Sequence, residues 1–212
     1  MSEGPEALLA VADVSRETIA KLEAFAALLR KWQRADNLIA PSTVDQIWSR
    51  HIADSAQLAT LFPGLCWVDL GSGGGFPGIV VALVNARHVH LVESNQRKCA
   101  FLRAAIRETE APATVHEGRV ETVLASWREP VDRISARALA SLSDLLVLAE
   151  PLLNRGVPAA FLKGADYARE ISDAERAWLL DIAVMPSRAG GGGAVLDIRH
   201  ANRRPNQDKT QA

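Results

Sequence analysis

The chain is poor in several features that would assign it to a specialised class. Its 212 residues include only two cysteines, Cys66 and Cys99, too few for a disulfide framework or a cysteine-based metal site. No run of about 18 apolar residues could cross a membrane, and the acidic amino terminus lacks the apolar core of a signal peptide. These absences predict a cytoplasmic protein that binds neither membranes nor metals.

An excess of positive charge is also absent. Lys and Arg number 24 against 25 Asp and Glu, which gives a net charge of −1. The whole chain therefore has no general attraction for nucleic acid, and any such contact must come from a local patch. The length and the 48% hydrophobic content predict one domain with a substantial core and a small appendage.

Glycine, by contrast, is concentrated in the stretch on which the rest of the chain depends. Residues 66–70 form a short apolar run typical of a buried strand, and five of the next eight positions are glycine. Pro77 and the apolar segment that follows it predict the start of a helix, because proline fits a first helical turn. A strand, a glycine turn and a helix form the ligand-binding corner of a doubly wound α/β domain.

Two ligands fit this corner. Gly73, Gly75 and Gly78 spell the G-x-G-x-x-G pattern of dinucleotide-binding proteins, whereas Asp69, Gly71, Gly73 and Gly75 spell the D-x-G-x-G-x-G of methyltransferases that use S-adenosylmethionine. A carboxylate at Asp69 would repel a pyrophosphate but attract an ammonium and a sulfonium. The charge therefore favours S-adenosylmethionine over NAD.

Apolar periodicity predicts seven strands and alternating helices. Helices are expected at residues 15–35, 43–61, 94–107, 141–153 and 166–180, and strands at 66–70, 88–92, 113–116, 131–136, 157–162, 182–186 and 194–200, with Ser94 as a helix cap. The last two strands should form an antiparallel hairpin. The chain is thus divided into a helical extension (1–63), a doubly wound, mostly parallel, Rossmann-like domain (64–201) and a flexible basic tail (202–212).

Four charged residues fall at the ends of predicted strands, namely Asp69, Glu93, Arg137 and Lys163. Ligands of open parallel sheets bind at the carboxyl ends of strands, so these side chains should surround one site. Glu93 lies about 20 residues past Gly73, the distance at which a βαβ unit places an acid against ribose hydroxyls.

Three charged features are open to a structural or a functional interpretation. Arg50 and Asp54 are four residues apart on one helical face, so they could form a surface ion pair, or Arg50 and His51 could form the rim of a substrate cleft. The helix at residues 15–35 carries a basic outer face that is either solvated or binds phosphate; it comprises Lys21, Arg30, Lys31 and Arg34. Residues 190–193 are all glycine, and with no helix after them they predict a mobile tip rather than a phosphate cradle.

Taken together, these residues resemble the bacterial small-subunit (16S) ribosomal RNA guanine-N7 methyltransferase family, also called the glucose-inhibited division protein B family. The resemblance covers residues 32–163 and is carried by Asn37-Leu38, Arg50-His51-Ile52, Asp54-Ser55, the glycine stretch, Arg119-Val120-Glu121, Ser135-Ala136-Arg137-Ala138, Ala140-Ser141-Leu142 and Leu162-Lys163-Gly164. The chain departs from the family pattern at Ile39, where Thr is usual, and at Glu93, where Asp is common.

The resemblance implies a class I methyltransferase fold, with S-adenosylmethionine as cofactor and N7 of a guanine in 16S ribosomal RNA as target. Gly71, Phe76, Val120, Glu121 and Arg137 would contact the cofactor. Asp69 and the glycines Gly71, Gly73 and Gly75 are expected to hold its methionine end, and Glu93 its ribose. Arg50, His51, Arg137 and Lys163 are candidates for RNA contact. The partner would be 16S ribosomal RNA, free or within a partly or fully assembled 30S subunit, and the protein is expected to be a monomer.

The chemistry of N7 agrees with what the sequence lacks. N7 carries an unprotonated lone pair at neutral pH, so no general base is needed, and none is assigned. The Asn/Asp-Pro-Pro-Tyr/Phe motif of exocyclic-amine methyltransferases is absent, and neither cysteine follows Pro or Thr as a cytosine-methylating nucleophile would. Two alternatives remain open from the sequence: an NAD-binding oxidoreductase and a non-catalytic RNA-binding module of ribosome assembly.

Overall fold

The computed structural model describes residues 3–205. Seven strands form one sheet, and their bounds are β1 Cys66–Leu70, β2 His88–Glu93, β3 Ala113–Glu117, β4 Arg133–Arg137, β5 Ala159–Lys163, β6 Trp178–Pro186 and β7 Ala194–Arg203. The α-helices are α1 Pro5–Leu9, α2 Arg16–Gln33, α3 Ala53–Leu61, α4 Gly78–Asn85, α5 Gln96–Thr109, α6 Val120–Ala125, α7 Leu142–Leu153 and α8 Tyr167–Ala174. This architecture confirms the predicted doubly wound, mostly parallel sheet of seven strands.

The strand order distinguishes this sheet from that of dinucleotide-binding domains. The order is β3-β2-β1-β4-β5-β7-β6, and β7 pairs antiparallel with both β5 and β6. A Rossmann dinucleotide domain has the order 3-2-1-4-5-6 with no inserted strand. The inserted antiparallel strand β7 is therefore a difference from the dinucleotide-binding fold, one of the two alternatives that the glycine motif leaves open.

The sheet has an apolar core on each face. One face of the sheet is covered by α2, α4 and α5 together with α1 and segment 47–59. The other face is covered by α6 and α7, and buried side chains of β6 and β7 belong to that second core. Parallel strands covered on both faces read as continuous apolar runs, which is why β1 was recognisable. The extension shares its core with the sheet, and the division of the chain at residue 63 stays a prediction.

Several element boundaries were wrong. The helix expected at 43–61 is a 3₁₀ segment, Pro41–Gln46, followed by a π-helical segment, Ile47–Ile52, and by α3. The helix expected at 166–180 stops at Ala174 and a turn follows, because residues 178–180 pair with β7 at the start of β6 and this pairing overrides their helical pattern.

The predicted cap of α5 and the predicted start of the tail were also wrong. Asn95, not Ser94, caps α5, since its Oδ1 accepts hydrogen bonds from the backbone N–H groups of Arg97 and Lys98. The tail does not begin at 202, because β7 continues to Arg203, whose guanidinium makes two hydrogen bonds to Glu150. The remainder of the expected tail, 206–212, lies outside the described residues.

None of the described helices combines the length and the apolar character that a membrane crossing requires.

Candidate functional site

A cavity of about 1100 Å³ opens at the carboxyl ends of the parallel strands. It lies where the strand order reverses between β1 and β4, as expected for a doubly wound sheet. We call residues 71–78, Glu93 and residues 118–121, most of which line the cavity, the glycine wall. We call Arg50, His51, Asp54, Arg137 and residues 187–193, most of which also line it, the arginine wall.

The glycine wall depends on backbone conformations that other residues rarely adopt. Gly71, Gly73 and Gly75 have φ values of +65°, +51° and +84°, in the left-handed region that favours glycine. The backbone N–H of Gly73 donates a 2.9 Å hydrogen bond to Oε2 of Glu93. A Cβ at Gly73 would meet no atom closer than 3.6 Å, so the space beside this backbone is open to a ligand.

Asp69 lies behind this loop rather than on the cavity wall. Its side chain is fully buried, Oδ1 accepts a 2.7 Å hydrogen bond from the Ser135 hydroxyl, and Oδ2 has no hydrogen-bond partner among the described residues. Burial raises the pKa of Asp69 to about 6, although the Ser135 hydroxyl opposes the change. A contact between this carboxylate and a ligand therefore stays a prediction, and the visible role of Asp69 is to support the loop.

The carboxylate of Glu93 is held at the cavity by backbone groups. Besides Gly73, it accepts a 2.8 Å hydrogen bond from the N–H of Asn95, which fixes it at the end of β2. Val120 and Glu121, at the start of α6, line the same wall. The structure thus brings together the acid proposed to hold ribose and two residues proposed to contact the nucleoside.

Arg137 is the centre of the arginine wall. Its guanidinium donates hydrogen bonds to the backbone oxygen of Arg50, at 3.1 Å, and to Nδ1 of His51. It also pairs with Asp54 at 3.8 Å and lies 5.1 Å from the centroid of the Phe76 ring. One side chain at the end of β4 therefore joins the π-helical segment to the glycine loop.

These bonds fix the state of His51. Because Nδ1 accepts from Arg137, the ring is assigned as the neutral tautomer whose Nε2–H donates to the Thr43 hydroxyl, at 2.8 Å. Burial, followed by the positive charges of Arg137 and Arg50, lowers the pKa of His51 to about 3. Burial also lowers the pKa of Arg137, whereas Asp54 and Asp69 act in the opposite direction.

Of the two interpretations left open for Arg50, the surface ion pair with Asp54 is wrong. Asp54 pairs with Arg137 instead, because the π-helical turn carries Arg50 away from α3 and onto the rim of the cavity. Lys163 also lines the cavity, but its ammonium is bound by Glu170 at 2.6 Å and by the backbone oxygen of Ala140 at 2.8 Å. Of the four candidates for RNA contact, Arg50 alone is exposed.

Sequence reasoning missed the part of this site that comes from the hairpin loop. Ala189 and three of the four glycines line the cavity. The Ser187 hydroxyl donates to Asp54 and accepts from the Gln57 amide, at 3.0 Å each, so one end of the supposed mobile tip is tied to α3. No short-range pattern signals a contact across more than 130 residues.

Leu139 was also missed. This leucine is more than a third exposed, and its side chain covers Gly71 so closely that a Cβ there would lie 2.5 Å from Leu139 Cδ1. The preceding residue, Ala138, has a φ of +52°. An exposed apolar side chain over the glycine loop suits contact with a flat, partly apolar ligand.

The chemical groups in and around the cavity suit S-adenosylmethionine. It offers bare glycine backbone and an acid at the end of β2, and behind the glycine loop the buried Asp69 has one oxygen without a hydrogen-bond partner among the described residues. Its volume is sufficient for a nucleoside-sized ligand and a second ring.

Comparisons with known proteins agree with this geometry. The family described as rRNA small subunit methyltransferase G matches residues 18–191. Proteins named ribosomal RNA small subunit methyltransferase G are similar in sequence. The one from Nitrobacter winogradskyi is 45% identical over 97% of this chain and 76% of its own length; the one from Rhodospirillum centenum is 50% identical over 87% and 85%.

Among solved structures, a mutant of MtNAS in complex with S-adenosylmethionine has the same fold. It superposes with a TM-score of 0.58 over 85% of this chain and 72% of its own, at 16% identity.

Proposed function

The chain belongs to the rRNA small subunit methyltransferase G family, and from this premise we propose that it transfers a methyl group from S-adenosylmethionine to N7 of one guanine in 16S ribosomal RNA. The single observation that supports the proposal best is the cavity at the carboxyl ends of β1, β2 and β4, which both bare glycine backbone and arginine side chains line.

The residues have distinct tasks in this reaction. The glycine loop and Asp69 hold the methionine end, Glu93 holds the ribose, and Phe76, Val120 and Glu121 surround the nucleoside. When bound, S-adenosylmethionine supplies an electrophilic methyl group on a sulfonium. Guanine N7 would attack the methyl carbon with its own lone pair as the carbon–sulfur bond breaks, so that neutral S-adenosylhomocysteine leaves and the positive charge passes to the methylated base. No proton leaves, so the chain needs no acid or base.

Positioning is therefore the main contribution of the arginine wall. Arg137 holds the π-helical segment against β4, which places Arg50 on the cavity rim. Arginine suits guanine because its planar fork can donate two hydrogen bonds to O6 or to phosphate. His51 stays neutral at physiological pH and acts as a hydrogen-bonding bridge between Arg137 and Thr43. The internal pairing of Lys163 favours a supporting role.

We expect the protein to act as a cytoplasmic monomer, because its substrate is ribosomal RNA and one chain supplies both walls of the cavity. Whether the RNA is bound free or within a 30S particle depends on contacts outside this cavity.

Labelled methyl transfer tests the proposal directly. Incubating 16S ribosomal RNA that lacks the modification with methyl-labelled S-adenosylmethionine should place the label on N7 of one guanine, located by mass mapping. A ligand present at 100 times its Kd stabilises the folded state by about 2.7 kcal/mol, so S-adenosylmethionine should raise the Tm and NAD should not. Stabilisation by NAD would support the oxidoreductase, and cofactor binding without transfer the non-catalytic module.

A pair of variants separates the cofactor site from general damage. Glu93→Gln should lower the affinity for S-adenosylmethionine by about tenfold, since it weakens charge-assisted hydrogen bonds. Glu117→Gln is the matched control, because Glu117 is the register partner of Glu93 on β3 and lies outside the cavity. Equal affinities of the two variants for S-adenosylmethionine would show that Glu93 does not bind the cofactor.

A further inference from the structure

Beside the cavity mouth, α2 and α5 bring together five basic side chains that the proposed reaction does not use. We call this set the α2–α5 basic surface; it consists of Arg30, Lys31, Arg34, Arg97 and Lys98. We propose that it binds the phosphate backbone of the ribosomal RNA next to the target guanine. The inference rests on the proposed function and names a surface outside the cavity walls.

The two helices lie antiparallel, which puts their basic ends together. Lys21 of α2 pairs with Glu110 just after α5, Phe25 and Trp32 of α2 both contact Phe101, and Asp36 after α2 pairs with Arg97. The last turn of α2 therefore lies beside the first turn of α5. Both ends reach the cavity, since Asn37 and Lys98 line it.

The charge of this region is unbalanced. Residues 28–37 contain three basic residues and one acid, Asp36, and residues 94–98 contain two basic residues and no acid. Among the described residues, no carboxylate lies within 4.0 Å of the charged groups of Arg30, Lys31, Arg34 or Lys98. In a chain of net charge −1, such a local excess is the signature of a nucleic-acid contact.

Helix stability does not account for the whole set. Arg30 and Lys31 lie at the carboxyl end of α2, where positive charge is favourable. Arg97 and Lys98 occupy the first turn of α5, where the helix dipole disfavours positive charge and where no acidic residue is present. A phosphate bound across both helix ends would compensate for that unfavourable placement.

The orientation of the side chains matches an RNA strand that leaves the cavity. Arg30, Lys31 and Arg34 are exposed on the outer face of α2, opposite the buried Leu22, Phe25, Ala26 and Leu29. Arg97 is 77% exposed even though it pairs with Asp36. Lys98 is partly buried and lines the cavity.

Charge neutralisation tests the surface with a matched control. The triple variant Arg30→Gln/Lys31→Gln/Arg34→Gln keeps good helix formers and leaves Lys98 in place. The control Arg16→Gln/Arg107→Gln/Arg176→Gln removes the same charge from exposed positions at the far ends of α2 and α5 and after α8. Binding of unmodified 16S ribosomal RNA is measured across salt concentrations, together with methyl transfer.

The triple variant should bind the RNA roughly tenfold more weakly at low salt. Its slope of log Kd against log salt should fall by about 2 to 3, because each phosphate contact contributes 0.7 to 0.9. KM for RNA should rise with kcat little changed, and the Tm increase caused by S-adenosylmethionine should equal that of the wild type. The charge-preserving variant Arg30→Lys/Lys31→Arg/Arg34→Lys should restore the slope.

Equal slopes and affinities for the triple variant and the control would overturn the proposal, as would a loss that the charge-preserving variant does not restore. Failure of the proposed function is a separate result, since the wild-type protein itself would then transfer no methyl group to the RNA.

Discussion

The glycine wall is assembled from short segments that follow the first three strands, whereas the arginine wall joins segments from opposite ends of the chain. In the glycine wall, Gly73 bonds to Glu93 over 20 residues. In the arginine wall, Arg137 reaches His51 over 86 residues and Ser187 reaches Asp54 over 133. The first wall can be inferred from a motif, and the second exists only once the sheet is complete.

The walls also use different interactions. The glycine wall relies on backbone conformation and tight packing, since a Cβ on Gly78 would lie 2.3 Å from Leu91 and 2.7 Å from Asp69 Oδ2. The arginine wall relies on partly buried charge, in which Arg137 and Asp54 compensate each other. The glycine wall should therefore be sensitive to added volume, and the arginine wall to the loss of a partner.

The largest effect is expected from Arg137→Met. Removing the guanidinium leaves Asp54 partly buried without its charge partner and breaks the bond to His51, so the free energy of unfolding should fall by about 3 kcal/mol. Urea denaturation measures this change. The matched control Arg103→Met removes an ion pair with Glu117 of which the two side chains are 46% and 34% exposed, and it should cost less than about 1 kcal/mol. Similar losses of unfolding free energy in both variants would show that the interactions of Arg137 stabilise the fold no more than an exposed ion pair does.

A smaller effect is expected from Gly78→Ala. The added methyl group must displace Leu91 or the Asp69 carboxylate, which should destabilise the protein by about 2 kcal/mol and weaken S-adenosylmethionine binding. Gly164→Ala is the control for the stability measurement only, because a Cβ at Gly164 would meet no atom within 4 Å but Gly164 lines the cavity. Thermal unfolding with and without the cofactor measures both quantities, and an unchanged Tm for Gly78→Ala would mean that the glycine wall tolerates added volume.

The third effect appears only as a pH dependence. The folded-state pKa of Asp69 is about 6, above its ordinary value of 3.8, so the folded protein holds this proton more tightly than the unfolded chain. That contribution to stability is complete below pH 4 and is lost as the pH rises through 6, at up to about 1.4 kcal/mol per pH unit. Asp69→Asn should remove this decline in urea titrations at pH 4.5, 6 and 7.5. Parallel curves for the variant and the wild type would show that Asp69 does not titrate in this range.

Most of the sheet could be predicted because parallel strands buried on both faces are short apolar runs, as in residues 66–70 and 159–163. The errors fell where pairing between distant strands decides the local structure. Residues 175–180 carry a helical pattern, yet they form a turn and the start of β6 because β7 provides a partner. Similarly, the π-helical turn around Arg50 is not visible in the sequence, because its conformation depends on Arg137 and Thr43.

For the candidate site, too, the positions of residues could be predicted but their distant partners could not. Asp69, Glu93, Arg137 and Lys163 were expected at the ends of strands, and each lies there or one residue away. The partners of these side chains could not be predicted, because spacing along the chain gives the position of a charge but not the group that neutralises it. The ion pair of Glu170 with Lys163 and that of Asp54 with Arg137 are both examples.

The bond between Ser187 and Asp54 also has a consequence for biosynthesis. A chain that emerges from the ribosome amino terminus first presents α3 well before β6 and β7. Until the hairpin is added beside β5, Asp54 and Gln57 have no hydroxyl to bind, and one side of the cavity is missing. The cavity is therefore complete only after β7 has been translated and has paired with β5.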